Sequence, residues 1–216
     1  MRFYIYNWYK FTVVWIIILL ALLLCGVFSS FSTVQYLLLA SFISLFAHQA
    51  EEYLFPAGGP VVINKGNFGE TERYRTYPGN MLSSMIVNNL AYIFYACALI
   101  FPQAVWIGLA TMYFNLFQLV GHGFKMNRTL GTWYNPGLLT TVVLLVPVSI
   151  WYMIVVGSGG LASTADWLWG LLAFIGAVLL TTIAPVQLLK GKGEKYPMEE
   201  WQVGRQEKLQ NMFRIK

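Results

Sequence analysis

The sequence predicts an all-α protein, a polytopic transmembrane helical bundle of about six helices. Of its 216 residues, 57% are hydrophobic and only 11% are charged, whereas a soluble domain carries about 25% charged residues. Several apolar runs reach the length of about 20 residues that a bilayer-spanning helix needs. When six spans are drawn through these runs, all 14 lysines and arginines fall on one side of the membrane.

The six helices follow from the apolar runs in chain order. The first run is read as a membrane anchor and not as a cleaved signal, because it is long and no small-residue cleavage site follows it. We predict a transmembrane domain over 1–190 and a basic cytoplasmic tail over 191–216, which can lie as a helix along the membrane surface. The predicted helices span 11–29, 34–54, 81–101, 104–122, 137–156 and 166–187.

Turn-forming and capping residues separate the runs. Pro56 ends the second helix, because proline cannot continue the hydrogen-bond ladder, and Asn80 can cap the third helix. Pro102 turns the chain between the third and fourth helices. Asn135 and Pro136 are expected to be the N-cap and the first-turn proline of the fifth helix.

The basic residues set the orientation. They precede the first helix, lie in the connections after the second and fourth, and follow the sixth, while the other connections hold none. Cytoplasmic loops carry the excess of lysine and arginine, so both termini are expected in the cytoplasm and the chain in the plasma (inner) membrane as a multi-pass protein. The net charge of +5 is explained by this bias without a nucleic-acid partner.

The end of the second helix carries a histidine and two carboxylates. At about 100° per residue, Glu51 and Glu52 flank His48 on one helical face. Imidazole and carboxylate are metal-ligand types, and helical bundles build metal centres from Glu/His pairs at this spacing. Ionisable groups at this depth are costly, so they usually face the bundle interior and indicate function. A solvated helix end is the structural alternative.

The third and fourth helices add polar stripes. Asn115, Gln118 and His122 share a face of the fourth helix, and Asn88 and Tyr92 share a face of the third. Depths counted at about 1.5 Å per residue place Asn88 and Asn115 in one layer. The chain has only two histidines, and both are predicted to lie just outside that layer. The polar amides could instead join helices to one another.

The string His48-x-x-Glu51-Glu52 at the end of a membrane helix resembles the HXXEE-domain family of integral membrane proteins. The Asn88-Asn89 pair and the later His122 and Asn127 agree with that resemblance, which covers most of the chain. The family is largely uncharacterised, so the resemblance implies a membrane enzyme and no defined reaction.

A second resemblance concerns CAAX-type and bacteriocin-processing membrane endopeptidases, which also carry a Glu-Glu pair and later histidines on helices. In those proteases an arginine follows the pair within a few residues. Here the segment Tyr53-Leu54-Phe55-Pro56 follows without an arginine, and a histidine precedes the pair.

The leading hypothesis is a metal-dependent membrane enzyme, a hydrolase or an oxidoreductase. It would act on a lipid-like or amphipathic small molecule at the cytoplasmic leaflet. One divalent ion, zinc or iron, is expected to be held by four residues that also carry the catalysis: His48, Glu51, Glu52 and His122. The residues predicted to contact the substrate are Asn88, Tyr92, Asn115 and Gln118.

Two alternatives stay open at the level of sequence. A metal-free acid/base enzyme, such as an isomerase or a glutamate-type protease, would use the same histidines and carboxylates. A small-molecule binding or transport protein would line a pathway with the polar stripes. Against transport, the sequence shows no internal repeat, and the outer halves of the helices are mostly apolar.

Overall fold

The computed structural model describes residues 1–215, and over these residues the chain is all-helical, as predicted. No strand occurs among them, although Thr132 and Arg214 form an isolated β-bridge. The long helices are α1 (Trp8–Leu24), α2 (Thr33–Tyr53), α3 (Met81–Ile100), α4 (Val105–Gln118), α5 (Leu138–Ser158), α6 (Thr164–Lys192) and α7 (Glu200–Met212). Shorter elements are the helical turns Arg2–Ile5, Gly59–Val62 and Asn127–Leu130 and the π-helical turns Ile63–Asn67 and Leu119–Met126.

Among the described residues, three helices, α3, α5 and α6, are long and apolar enough to cross a membrane, and α1 is a shorter apolar helix. Large hydrophobic side chains cover the outward faces of α5 and α6. These exposed residues include Val143, Ile154, Leu168, Trp169, Leu172 and Leu180. Such a surface favours a lipid environment over water.

Helix starts follow the local sequence in most places. The Asn80 side chain accepts a hydrogen bond from the Ser83 N–H at 3.2 Å, so it caps α3 as predicted. Ser163 caps α6 in the same manner. The expectation for α5 is wrong, because its N-cap is Gly137. The Asn135 side chain turns instead toward His122.

The bundle has an apolar core at each end. At one end, Leu38 of α2, Leu109 of α4 and Tyr152 of α5 pack together and are fully buried. The opposite end, called the basic end because the lysines and arginines lie there, is packed around Tyr53 and Met81. The polar end of α2 therefore lies beside the second core.

Helix α7 packs over the basic end. The buried Gln202 accepts a hydrogen bond from the Gly58 N–H at 2.6 Å and donates one to the Tyr53 carbonyl at 2.9 Å. These bonds join the tail to the chain just after α2, where the sequence predicted only a basic tail along the membrane surface. Lys216, the last residue of that tail, lies outside the described residues.

Candidate metal centre

Three buried side chains converge at the basic end. His48 and Glu52 stand one turn apart on α2, and His122 comes from the π-helical turn after α4. One Glu52 oxygen lies 3.4 Å from His122 Nε2, and the other lies 3.9 Å from His48 Nε2. One ligand atom from each residue lies within 4.8 Å of the other two, so the group could hold a metal ion.

The separations suit a small divalent ion. A tetrahedral ion with ligands at about 2.0–2.2 Å separates its ligand atoms by about 3.3–3.6 Å. The two Nε2–oxygen distances, 3.4 and 3.9 Å, each to a different oxygen of Glu52, are close to that range. The imidazole rings stand nearly perpendicular, with centroids 5.0 Å apart, so they do not stack in place of ligating.

The His48 tautomer follows from its partner. Nδ1 lies 3.1 Å from the Gly137 carbonyl oxygen, which can only accept a hydrogen bond. Nδ1 therefore carries the proton, and the lone pair of the neutral ring lies on Nε2, the atom that faces Glu52. An imidazole whose far nitrogen donates to a carbonyl is the usual arrangement of a metal-ligating histidine.

The His122 tautomer is set by Asn135. The Asn135 amide nitrogen donates to the His122 carbonyl at 2.8 Å and to Asn127 Oδ1 at 2.7 Å. This orients Asn135 Oδ1 toward His122 Nδ1, 2.6 Å away, so Nδ1 is the donor. His122 Nε2 is then a second lone pair directed at Glu52.

The resulting electrostatics call for a positive charge. Two Nε2 lone pairs face the carboxylate of Glu52, and all three residues are buried. Acceptors that face one another away from water are unfavourable unless a cation or an additional proton lies among them. A divalent ion supplies that charge, and protonation of one imidazole supplies it without a metal.

Gly137 allows the two rings to approach each other. Its φ of +101° is in the left-handed region, and an added Cβ would lie 2.5 Å from His122 Cε1 and 2.8 Å from His48 Cε1. Any side chain at Gly137 would therefore collide with both rings. The sequence interpretation did not single out this glycine, because the contact joins three separate segments.

Glu51 lies outside this group, although it was predicted to be a ligand. Its carboxylate accepts hydrogen bonds from the Tyr134 hydroxyl at 2.8 Å, the Leu139 N–H at 3.2 Å and the Thr140 N–H at 2.8 Å, and also from the Thr140 hydroxyl. It thus caps the first turn of α5 from a neighbouring helix, where the helix dipole favours an anion. Burial, and then the charge of Glu51, raise the pKa of Tyr134, which keeps its hydroxyl a donor.

Glu51 also helps to hold His48 in position, through the turn that contacts His48 Nδ1. The Thr140 hydroxyl donates a hydrogen bond to Glu51, and its oxygen lies 3.2 Å from His48 Nδ1. The Gly137 carbonyl that accepts from His48 belongs to the same turn. The two neighbouring carboxylates of α2 therefore have separate roles, one facing the imidazoles and one fixing the turn behind them.

The amides predicted to bind substrate divide into two groups. The Asn115 amide nitrogen donates to the hydroxyls of Ser41 at 2.9 Å and Ser149 at 3.1 Å, and its oxygen accepts from the Tyr95 hydroxyl. Because Asn115 is buried and saturated by three other helices, it joins the bundle. Gln118, one turn further along α4, lines a cavity.

Asn88 and Tyr92 of α3 bond to α2. Asn88 Oδ1 accepts from the Gln49 amide at 2.9 Å, and the Tyr92 hydroxyl donates to the Gln49 oxygen at 2.5 Å. Asn88 also donates to the Tyr53 hydroxyl at 3.2 Å and lies on the cavity wall, whereas Tyr92 is not among the lining residues.

A cavity of about 510 Å³ adjoins the histidines and Glu52, within the range of about 300–1,000 Å³ that is usual for small-molecule sites. His48, Glu52 and His122 are part of its wall. The rest is largely apolar and includes Leu45, Val87, Ala91, Phe114, Phe117, Val178, Ile183 and Val186.

Three π-helical turns border the cavity, at Ile63–Asn67, Leu119–Met126 and Val178–Ile183. π-Helical turns occur frequently at functional sites. The turn after α4 also separates Asn115 from His122, since it changes the direction of the residues that follow it. The polar stripe that was predicted to be continuous on that helix is therefore divided. Asn115 lies in the core of the bundle, and His122 lies on the cavity wall.

The comparisons with known proteins identify a family. A family model described as a protein of unknown function with an HXXEE motif matches residues 39–152, more than half of the chain. The matched stretch contains the histidines, both carboxylates and the turn before α5. No curated protein and no solved structure matches the chain. The resemblance seen in the sequence is confirmed, and the chain belongs to the family of proteins with an HXXEE motif.

Proposed function

We propose that this protein is a metal-dependent integral membrane enzyme, a hydrolase or an oxidoreductase, that acts on a lipid-like or amphipathic substrate. The observation that carries the proposal is the convergence of His48, Glu52 and His122 on the wall of a largely apolar cavity. Ligands and substrate space share one wall, as a catalytic ion requires.

The number of ligands favours a catalytic ion over a structural one. Structural zinc sites are closed by four protein ligands, whereas catalytic zinc keeps three and an open position. Two histidines and one carboxylate are also the ligand set of non-haem iron oxygenases. With zinc bound, the ion would lower the pKa of a coordinated water toward about 7 for hydrolysis. With iron bound, the chemistry would be oxidation by O₂.

The membrane arrangement belongs to the same proposal. We take α1 to α6 as six spans, which places every lysine and arginine at the end of the bundle that holds the site. By the bias of basic residues toward the cytoplasm, the site then opens at the cytoplasmic leaflet, with both termini on that side. The substrate would be a molecule of that leaflet.

A metal-free acid/base enzyme is the second candidate. A Glu52 oxygen lies 3.4 Å from His122 Nε2. A proton shared between these two atoms would also remove the repulsion between acceptors that face each other. Transport receives less support, since Leu38, Leu109 and Tyr152 fill the bundle beyond the cavity.

Elemental analysis of protein purified without chelators tests the proposal. Wild type should contain about one equivalent of zinc or iron, and Glu52→Gln and His48→Ala less than about a tenth. Glu51→Gln is the comparison variant, because it changes the neighbouring carboxylate, which holds the turn behind His48, and keeps all three ligands; it should still retain most of the metal. The metal that co-purifies separates hydrolase from oxidoreductase. Metal-free wild type, together with activity that persists in strong chelator, would contradict a metal-dependent enzyme and favour the acid/base enzyme.

A further inference from the structure

One side of the cavity lies between α6 and the end of α4 with the π-helical turn that follows it. The outer halves of these helices pack closely, with the Phe174 ring centroid 6.2 Å from that of Tyr113. Phe117, near the basic end of α4, still contacts the Phe174 ring, at 5.6 Å, and marks the edge of the gap. Gly170 lies directly against α4, since an added Cβ would lie 2.8 Å from Leu109 Cβ. The two helices are therefore in direct contact along this part.

Toward the basic end the two helices separate. Both become π-helical, over Leu119–Met126 and over Val178–Ile183. From there α6 packs on α3, and the Asn80 amide donates to the Leu189 carbonyl at 2.9 Å. The cavity lies in the gap that this change of partner leaves.

Three side chains at the gap belong to both the cavity and the outer surface. Phe117, Val120 and Ile183 line the cavity, yet they are 44%, 53% and 46% exposed. Exposed Leu179 and Leu180 of α6 lie close by in sequence. The opening is therefore apolar and faces the surface that a bilayer would cover.

A threonine of the cavity wall carries a buried hydroxyl that has no partner among the described residues. Thr182 lines the wall, and its buried Oγ1 makes no hydrogen bond to any described residue. The adjacent Thr181 donates to the Ala177 carbonyl at 2.7 Å, the usual way in which a helical threonine is satisfied. A buried unpaired hydroxyl costs free energy that a bound ligand can recover.

Thr182 lies at about the depth of the histidines and Glu52. Leu189 contacts Asn80 at the start of α3, so at about 1.5 Å per residue Thr182 is about 10 Å further in. Asn88, about 12 Å in by the same count, bonds to Gln49 and Tyr53, the residues that directly follow the two ligand positions of α2. The free hydroxyl and the candidate ion therefore share one layer, on walls built by different helices.

We infer that the cavity takes the single hydrocarbon chain of an amphiphile from the bilayer through the gap between α4 and α6. On binding, rotation about χ1 brings the buried Thr182 hydroxyl to the cavity wall, where it donates a hydrogen bond to an oxygen at the polar end of that molecule, beside His48, Glu52 and His122. The volume of about 510 Å³ and the apolar wall suit one chain. This names the substrate class of the proposed enzyme and rests on the proposed function, but chain binding itself requires no metal.

Photolabelling in lipid nanodiscs tests the inference on chelator-treated protein. The probe is a long-chain saturated fatty acid with a diazirine at its methyl end. Label should concentrate on peptides that contain Phe114, Phe117 and Val178, and unlabelled fatty acid should compete for it. Val120→Trp should reduce this label about tenfold by filling the opening. Ile154→Trp is the matched control, since Ile154 is an exposed residue of α5 that does not line the cavity.

The hydroxyl is tested by affinity. Thr182→Val should weaken fatty-acid binding about 3- to 10-fold, the effect of one buried hydrogen bond. Thr181→Val, whose hydroxyl is already bonded within the helix, should bind as wild type does. Label that is spread evenly over the lipid-facing helices, or that is unchanged in Val120→Trp, would overturn the side entry. Equal binding by the two threonine variants would overturn the role of Thr182. If the expected labelling is found and elemental analysis finds no metal, the lipid-binding site is supported and the proposal of a metal-dependent enzyme is contradicted.

Discussion

Two neighbouring glutamates at the basic end of α2, one on each side of the helix, have different surroundings. Glu51 and Glu52 are adjacent and equally buried, each with 5% of its surface exposed. The Glu51 carboxylate accepts hydrogen bonds from two backbone N–H groups and two hydroxyls. The Glu52 carboxylate faces the Nε2 atoms of two histidines.

This difference separates a carboxylate whose hydrogen bonds are complete from one that can still take a ligand. A buried carboxylate with its full set of donors has nothing left for a ligand, whereas one that faces two lone pairs needs a cation or a proton. The exposed fraction alone would not have distinguished Glu51 from Glu52. The proposal therefore places the ion on the Glu52 side and gives Glu51 a positioning role, and each of the following changes tests one side.

The largest effect is expected for His122→Ala. Loss of one of three ligands should weaken zinc affinity by at least about 100-fold, because loss of the groups behind a ligand alone costs about 10- to 100-fold. Competition against a chromophoric chelator in detergent measures it. An affinity within tenfold of wild type would mean that this imidazole is not a ligand.

Asn135→Leu should come next, with zinc affinity lower by about 10- to 100-fold. It removes the oxygen that fixes the Nδ1 proton of His122, so the ring can rotate or take the other tautomer. Asn135→Asp keeps an acceptor at that position and should restore most of the affinity. If both variants bind zinc equally, the hydrogen bond to His122 does not orient the ligand.

Glu51→Gln should act on folding. We expect the free energy of unfolding of the metal-free protein to fall by about 1–3 kcal/mol, since donors at the start of α5 lose a charged acceptor. At a pH high enough to keep both imidazoles neutral, Glu52→Gln should leave that value unchanged or raise it, because it removes an anion that faces two lone pairs. Equilibrium unfolding of both variants in detergent with a chelator compares them directly. Equal losses would remove the distinction between the two sides.

The smallest effect is expected for Tyr134→Phe. It removes one hydrogen bond to Glu51, which is worth about 0.5–1.5 kcal/mol, and should leave zinc affinity within about twofold. In the double variant with Glu51→Gln, the losses should be less than additive because the two groups share one bond. Strict additivity would show that they act independently.

The local part of the site could be predicted because it depends on helical periodicity. His48 and Glu52 stand four residues apart on a helix whose bounds were predicted within one residue. The alignment of basic residues also indicated that His122 returns to the same layer. Each inference needed only the rise and turn of an α-helix.

The roles of Glu51, Asn135 and Asn115 could not be predicted in the same way. Asn135 before a proline is an ordinary helix-capping pattern, yet its amide is more strongly engaged by His122 and Asn127. The phase of the stripe on α4 changed because a π-helical turn begins at Leu119, and the residue pattern gave no sign of it.

The sequence by itself determined the apolar helices, their order, the family and the end of the bundle that holds the reactive groups. These properties depend on composition and on contacts within one helix. Only the tertiary structure decided which carboxylate faces the histidines, which nitrogen of each ring is free and where the cavity opens. Those features arise from contacts between segments far apart in the chain, where a shift of one residue changes the side to which a group points.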